Sequence, residues 1–293
     1  MSSLTLRTDL ASRLRARSGA LPSVAIGFDG FVDEMIQLVA ERHNLDAFTP
    51  VPTIAAFGQL VSQAAGRSSL REIVVNAVHP GGCAVNMGDG LAALGIPVDA
   101  FATLGQPIHP AFDGVLGRFR SVHSWGREPG RTLAYEFQDG KLMFSSVAQL
   151  AELTPAQVSQ FLIDGSYLAA CREARLIAIT DWTLYPHMTA VWRHLQNEVY
   201  TKLTHRPRFL IDLVDPSTRA TEDIRAMLDT LKGFEAAGPL TLGLNGSEAN
   251  ILARILDLPG ANEDTASAIA LATALRDRLG ISEVVIHYPK SPQ

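Results

Sequence analysis

The chain has 293 residues, a net charge of −5, 47% hydrophobic and 19% charged residues, and two cysteines. This composition is typical of a globular protein with a substantial core, and the acidic balance argues against a nucleic-acid partner. No apolar run approaches the ~20 residues that a membrane helix needs, and the N-terminus lacks a signal-peptide core. Cys83 and Cys171 form no C-x-x-C pair, so we expect reduced thiols in a cytoplasmic protein that binds no membrane.

Short apolar runs alternate with longer amphipathic segments along the chain. Continuous apolar strands separated by helices indicate a parallel sheet covered on both faces. We therefore predict an α/β fold with a doubly wound, mostly parallel sheet, in one domain over residues 1–293. An N-terminal helix is predicted to expose Arg7, Arg13, Arg15 and Arg17, and the core strands are predicted at Val24–Gly27, Val98–Leu104, Leu176–Thr180, Phe209–Asp212, Leu240–Leu244 and Val284–His287.

Several strand-like segments do not alternate with helices. They include Phe31–Val39 and Glu72–Val78, and two further runs that flank the turn Gln138-Asp139-Gly140. A short run with glycine between two strands is typical of a β-hairpin. We predict a small antiparallel sheet, a lid, with strands inserted at about 31–40, 70–80 and 120–146.

Two helices have clear ends in the sequence. Thr154-Pro155-Ala156-Gln157 has the pattern of a capping box with proline at the first helical position. The segment 262–279 carries one apolar stripe and is followed by Gly280, which is typical of a helix end.

The segment Gly81–Gly95, GGCAVNMGDGLAALG, is the most informative motif. A glycine pair lets the backbone approach a ligand and adopt positive φ, while the Asn86 amide can donate and accept hydrogen bonds. We predict that Asn86 opens a helix that Gly95 ends. The segment is equally compatible with a simple loop–helix junction in which Asn86 is the N-cap.

Four motifs in the same order along the chain resemble the ribokinase-like family of carbohydrate kinases. They are GFDGFVD at 27–33, the glycine segment at 81–95, DPSTR at 215–219 and NGSE at 245–248. The resemblance covers most of the chain and places the predicted lid where this family covers its substrate. The chain has no G-x-x-x-x-G-K-[ST] motif, which excludes a P-loop kinase.

The resemblance implies a sugar site and a nucleotide site. Asp33 would hold sugar hydroxyls, with Asp29 as a competitor for that role, beside Gly81, Gly82 and Asn86. The NGSE motif implies that Asn245 and Glu248 take part in binding phosphate and magnesium, although an Asn-x-x-Glu pattern is also a capping box.

Two further assignments concern the segment after the strand Phe209–Asp212. One of Asp212 and Asp215 would hold a magnesium-bound water, and the other would cap the helix that begins near Thr221. Arg219 would contact a phosphate, with a solvated helix start as the alternative. The expected metal ligands are therefore Glu248, Asp215 and Asp212, with Mg²⁺ as cofactor and ATP as co-substrate.

The family's second signature, Asp-Thr-x-Gly-Ala-Gly-Asp, supplies the general base and is not found in the 293 residues. We expect a C-terminal segment beyond them that carries this base; the alternative is a non-catalytic relative that binds a sugar or nucleotide. An ADP-dependent sugar kinase is a further alternative. The resemblance also suggests a homodimer formed through the lid strands.

Overall fold

The fold contains a parallel main sheet and a smaller lid sheet, in a computed structural model that describes residues 21–262 and 264–288. The predicted N-terminal helix lies outside the described residues. In chain order the strands are β1 (Val24–Phe28), β2 (Phe31–Arg42), β3 (Phe48–Pro50), β4 (Ile73–Gly81), β5 (Val98–Ala102), β6 (Ser121–Ser124), β7 (Gly130–Phe137), β8 (Gly140–Ser146), β9 (Leu176–Thr180), β10 (Arg208–Asp212), β11 (Leu240–Asn245) and β12 (Glu283–His287).

The helices lie between these strands; the first, between β3 and β4, contacts the lid strand β8, and the later ones pack mainly on the main sheet. They are α1 (Ile54–Gln63), α2 (Cys83–Ala93), α3 (Asp113–Leu116), α4 (Pro155–Phe161), α5 (Ser166–Glu173), α6 (Met188–Glu198), α7 (Thr221–Ala237), α8 (Gly246–Ile255) and α9 (Thr265–Leu279). Short 3₁₀ turns lie at Pro110–Phe112, Ala148–Glu152, Leu162–Asp164, Tyr200–Lys202 and Pro216–Thr218. Within the described residues, no helix is both long enough and apolar enough to span a membrane.

The main sheet has seven strands in the order β12-β11-β10-β9-β1-β5-β6. All neighbouring strands are parallel. The prediction of a doubly wound parallel sheet is confirmed. It succeeded because strands that are covered on both faces are mainly apolar; β1 and β5 are fully buried, and Asp99 is the one charged residue in them.

Helix caps agree with the sequence patterns. The Thr154 hydroxyl accepts the Gln157 amide at the start of α4. Helix α9 starts at Thr265, three residues later than predicted, because the Asp264 carboxylate caps it by accepting the Ser267 amide. Gly280 follows this helix with a φ of 66°, which glycine adopts at little cost.

The lid sheet has β2 at its centre. Strand β4 pairs with β2 in the antiparallel sense, β7 pairs with it in parallel, and β8 joins β7 through the predicted hairpin. The lid is therefore mixed and not antiparallel throughout. The reason is topological: β2 follows β1 and β7 follows β6, and both leave the same edge of the main sheet, so they run in the same direction.

One part of the predicted lid belongs to the main sheet. Within the range 120–146, strand β6 pairs in parallel with β5. A buried carboxylate holds this pair together, because Asp99 accepts hydrogen bonds from the Arg120 guanidinium and from the Ser121 hydroxyl at 2.7 Å. The lid strands of that range are thus β7 and β8.

Candidate active site

Polar side chains gather at the carboxyl edge of the main sheet. Asp29 follows β1, Asp181 follows β9, and β10, β11 and β12 end at Asp212, Asn245 and His287. Parallel strands end at the same edge, which is where ligands bind in open α/β sheets. The lid rises from this edge because β2 and β7 continue from strands of the main sheet.

Gly81 lies directly against the Asp33 carboxylate. Gly81 is the last residue of β4 and pairs with Phe31, two positions from Asp33 on β2. A Cβ atom on Gly81 would overlap the carboxylate carbon and both of its oxygens. A side chain at position 81 would therefore displace the Asp33 carboxylate.

Asp33 is half-buried on the lid, opposite His79 of β4 and Thr132 of β7. Burial raises the pKa of the Asp33 carboxyl, while the Thr132 hydroxyl and the positive charge of Lys141 act in the opposite direction. A half-buried carboxylate in this position can accept hydrogen bonds from vicinal hydroxyls.

Helix α2 begins at Cys83, three residues before the predicted start at Asn86. Gly82 is its N-cap, with a φ of 99° and no side chain to bond the first amides. The Asp29 carboxylate performs this capping from another element: Oδ2 accepts the Cys83 amide, and Oδ1 accepts the Ala84 amide at 2.9 Å. Asn86 therefore lies within the first turn, where its side chain is exposed.

The prediction that Asp29 contacts the sugar needs correction. Asp29 is 1% exposed, and both of its oxygens accept hydrogen bonds from the protein, including one from the Thr180 hydroxyl. Burial raises the pKa of Asp29 despite these bonds. Its carboxylate therefore has no surface to offer a ligand, and Asp33 is the acidic group of this segment that does.

Asp181 is a buried carboxylate that the sequence interpretation missed. It is 1% exposed, has a φ of 58°, and accepts the Leu184 amide at 3.0 Å. Burial raises its pKa well above the ordinary aspartate value, and the nearby charges of Asp29 and Asp212 raise it further. Its position directly after a core strand, like that of Asp29, is the signal that could have identified it.

Cys83 lies among these acidic groups. Burial raises the pKa of its thiol, and the negative charges of Asp29 and Asp212 add to this effect. The thiol therefore stays protonated near neutral pH.

Asn245 and Glu248 form a complete capping box at the start of α8. The Asn245 side chain accepts the Glu248 amide at 2.9 Å, and Glu248 Oε2 accepts the Asn245 amide at 2.8 Å. Glu248 is buried; burial raises its pKa, and the negative charge of Asp212 adds to this effect. The motif thus caps a helix and also presents a carboxylate beside Asp212.

Asp212 and Asp215 have different local roles. Asp212 accepts the Val214 amide at 3.1 Å, and burial raises its pKa. Asp215 caps the short turn at Pro216–Thr218 by accepting the Ser217 amide, and not the helix α7, whose N-cap is Ala220. Among the described residues, no three acidic, histidine or cysteine side chains come together as a metal site, so the predicted ligands Glu248, Asp215 and Asp212 do not form a ready-made one.

Arg219 is held by the protein. Its guanidinium lies 4.3 Å from the centre of the Trp182 ring and donates hydrogen bonds to the carbonyls of Thr183 and Tyr185 at 3.1 and 3.3 Å. These contacts join the loop after β10 to the loop after β9. The geometry favours this role over the predicted contact with a phosphate.

Comparisons with known proteins agree with this architecture. A family model described as prokaryotic ketohexokinase matches residues 9–291. A ketohexokinase of Haloferax volcanii is 27% identical over 267 residues, which cover 90% of this chain and 69% of that protein. A carbohydrate kinase from Agrobacterium tumefaciens has a TM-score of 0.54 at 13% identity, over 91% of this chain and 70% of that one. Phosphofructokinase-2 from Escherichia coli in complex with fructose-6-phosphate has a TM-score of 0.51 at 10% identity, over 92% and 74%.

The seven-stranded parallel sheet and the β lid have the ribokinase-like fold. The chain belongs to the prokaryotic ketohexokinase family, whose model covers residues 9–291. The predicted family is confirmed. Membership implies that the protein is a phosphotransferase that acts on a sugar with ATP as phosphoryl donor.

The buried acidic groups predict a stability that falls with rising pH. Because the pKa of Asp181 is raised in the folded state, the folded protein binds the Asp181 proton more tightly than the unfolded chain does. Stability is therefore lost as the pH rises from about 4, the ordinary aspartate pKa, through the raised pKa of the folded state. Asp181→Asn keeps an acceptor for the Leu184 amide and removes the charge. We expect this variant to gain about 1 kcal/mol at pH 8, or about 2–4 °C in Tm.

The measurement is thermal unfolding between pH 5 and pH 8. The matched control is Asp46→Asn, at an exposed position, which should leave the pH dependence unchanged. A lower Tm for Asp181→Asn at pH 8 would show that the charge stabilises the fold.

Proposed function

We propose that the protein transfers the γ-phosphoryl group of ATP to a hydroxyl of a ketohexose. The sugar would lie beneath the lid, between Asp33, the Gly81–Gly82 backbone and Asn86. The observation that carries this proposal is the half-buried Asp33 carboxylate, which lies against Gly81 at the point where the lid joins α2. The ketohexose is inferred from the family and from the Haloferax volcanii relative, which is named for this activity.

The proposed sugar contacts suit a neutral polyhydroxy ligand. The Asp33 carboxylate accepts hydrogen bonds from adjacent hydroxyls, and the exposed Asn86 amide can both donate and accept. Gly81 and Gly82 leave space for the sugar to approach the backbone because they carry no side chains. These groups would orient one hydroxyl toward the carboxyl edge of the main sheet.

The nucleotide half would lie at the ends of β10 and β11. Asp212 and Glu248 each use one carboxylate oxygen for a backbone amide, which leaves the other oxygen for a cation or its bound water. Mg²⁺ prefers such oxygen donors, and in kinases it is commonly held by one or two carboxylates together with the substrate phosphates. When bound, Mg²⁺ would neutralise negative charge on the phosphates.

Catalysis would rest on positioning and on the exclusion of water. Phosphoryl transfer requires an acceptor hydroxyl in line with the γ-phosphate, and it gains mainly from orientation and charge stabilisation. The lid over Asp33 would keep out water that competes as acceptor. We assign no residue of the described chain as the base that takes the hydroxyl proton.

The sugar site is tested by Asp33→Asn. An amide loses the charge that strengthens hydrogen bonds from sugar hydroxyls, so we expect fructose affinity to fall about 10- to 100-fold. Isothermal calorimetry with fructose, with glucose as the aldose comparison, measures the effect.

The matched control for Asp33→Asn is Glu34→Gln. Glu34 is the next residue of β2, on the opposite face of the strand, where it pairs with Arg131 at 2.6 Å. Fructose affinity should be unchanged in this variant. An Asp33→Asn protein that binds fructose as tightly as the wild type would remove Asp33 from the sugar site.

The metal role of Glu248 is separable from its capping role. Glu248→Gln keeps an oxygen that can accept the Asn245 amide but removes the charge, so we expect an unchanged Tm and an increase of about tenfold in the Mg²⁺ concentration needed for ATP binding. Glu248→Ala also removes the side-chain half of the capping box, the bond to the Asn245 amide, and should lose about 1 kcal/mol of stability. A Glu248→Gln variant with unchanged Mg²⁺ dependence would leave Glu248 as a capping residue alone.

We also propose that two copies associate through the lid. Among the described residues, β4 pairs with β2 on one side and with no strand on the other, and it exposes Ile73, Val75 and Val78. An edge strand with exposed apolar side chains is a template for pairing with another strand. Sedimentation equilibrium should show a dimer that Val75→Lys dissociates; a wild-type monomer at micromolar concentration would contradict the proposal.

A further inference from the structure

Asp29 joins three elements around the glycine pair. It lies between β1 and β2, caps α2 through the Cys83 and Ala84 amides, and accepts the Thr180 hydroxyl at the end of β9. Three donors thus converge on one carboxylate that is 1% exposed. An ionised carboxylate is the side chain that can accept all of them, because it has acceptors on both oxygens and no donor.

This carboxylate also lies against the second glycine of the pair. A Cβ atom on Gly82 would lie 2.9 Å from Asp29 Oδ2 and 3.0 Å from the Gly30 Cα. The Gly82 backbone is therefore in close contact with Asp29. Its φ of 99° directs the chain into α2. The preceding residue, Gly81, is in turn in contact with the Asp33 carboxylate.

We propose that Asp29 is a positioning residue for the sugar half of the site, which acts through Gly82 and Gly81 on Asp33 and does not contact the sugar. The proposal rests on the proposed function, in which Asp33 binds sugar hydroxyls. A positioning role would explain why Asp29 is buried although none of its hydrogen-bond donors is a cation. Such a charge costs stability, and its three hydrogen bonds hold the site in one geometry.

A negative charge at Asp29 also disfavours ionisation of its buried neighbours. Burial raises the pKa of Asp181 and that of the Tyr185 phenol, and the charge of Asp29 raises both further. A helix cap alone would not need this arrangement, since the described α4 and α9 are capped by local side chains, Thr154 and Asp264. The cap of α2 comes instead from a residue 54 positions away, and so ties the glycine pair to the main sheet.

The central experiment is Asp29→Asn, with dissociation constants measured by calorimetry for fructose and, separately, for ATP with Mg²⁺. The amide presents an NH₂ group to one backbone N–H, so the start of α2 and the glycine pair must shift. We expect fructose affinity to fall about 10- to 100-fold, with ATP affinity changed less than about twofold. Equal losses for both ligands, or no loss for fructose, would overturn the proposal.

Thr180→Val is the second variant, in case Asp29→Asn does not fold. It removes one of the three hydrogen bonds to Asp29 and approximately conserves volume. Fructose affinity should fall about threefold to tenfold, again without a change for ATP. Unchanged fructose affinity in a folded Thr180→Val protein would contradict the proposal.

The matched control is Asp264→Asn. Asp264 also caps a helix, by accepting the Ser267 amide at 2.9 Å, but it lies at the start of α9 and not in the sugar half. This variant should leave fructose affinity unchanged, which separates the loss of a capping charge from the loss of site geometry.

The Asp33→Asn variant tests the proposed sugar site separately from the positioning role of Asp29. If that variant binds fructose normally, the proposed sugar site is wrong. If it loses fructose while Asp29→Asn and Thr180→Val do not, the sugar site stands and the positioning role of Asp29 is wrong.

Discussion

Two carboxylates lie against the Gly81–Gly82 backbone, closer than a Cβ atom on either glycine would permit. Asp33 comes from the lid strand β2 and Asp29 from the end of β1, and each is in contact with one glycine. Because the glycines have no side chains, the lid, the main sheet and α2 can meet at one place. This close approach sets the position of the lid over the carboxyl edge, and with it the geometry of the proposed sugar site.

The same edge concentrates negative charge. Asp29, Asp181, Asp212 and Glu248 are buried to the point that the pKa of each is raised. Their hydrogen bonds come mainly from backbone amides and not from cations, so desolvation is only partly offset. The Arg219 guanidinium is instead stacked on Trp182. An edge of this kind costs stability in the free protein, and it suits a site that receives a divalent cation together with a nucleotide.

Much of the fold was predictable from the pattern of apolar residues. The core strands, the hairpin at 138–140, the start of α4 and the end of α9 are determined by residues that are neighbours in the sequence. Their patterns could therefore be read without knowing the tertiary contacts. The assignment of β6 failed because Ser121–Ser124 has no apolar pattern; it joins the main sheet through Asp99 and Arg120, which come from separate segments. The parallel pairing of β2 with β7 was also missed, since pairing direction depends on where each strand leaves the main sheet.

The sequence by itself determined which residue types were present in which order: a glycine pair, an aspartate before it, and an Asn-x-x-Glu motif after a core strand. These local features are enough to identify the family, because the order of the motifs can be read from the sequence without knowing which residues are in contact. Only the tertiary structure decided what each residue does. Asp29 became a buried cap and Asp33 the accessible carboxylate, although both follow β1 within five residues. The difference arises because burial and hydrogen-bond partners are set by the distant segments α2, β4 and β9 that pack around them.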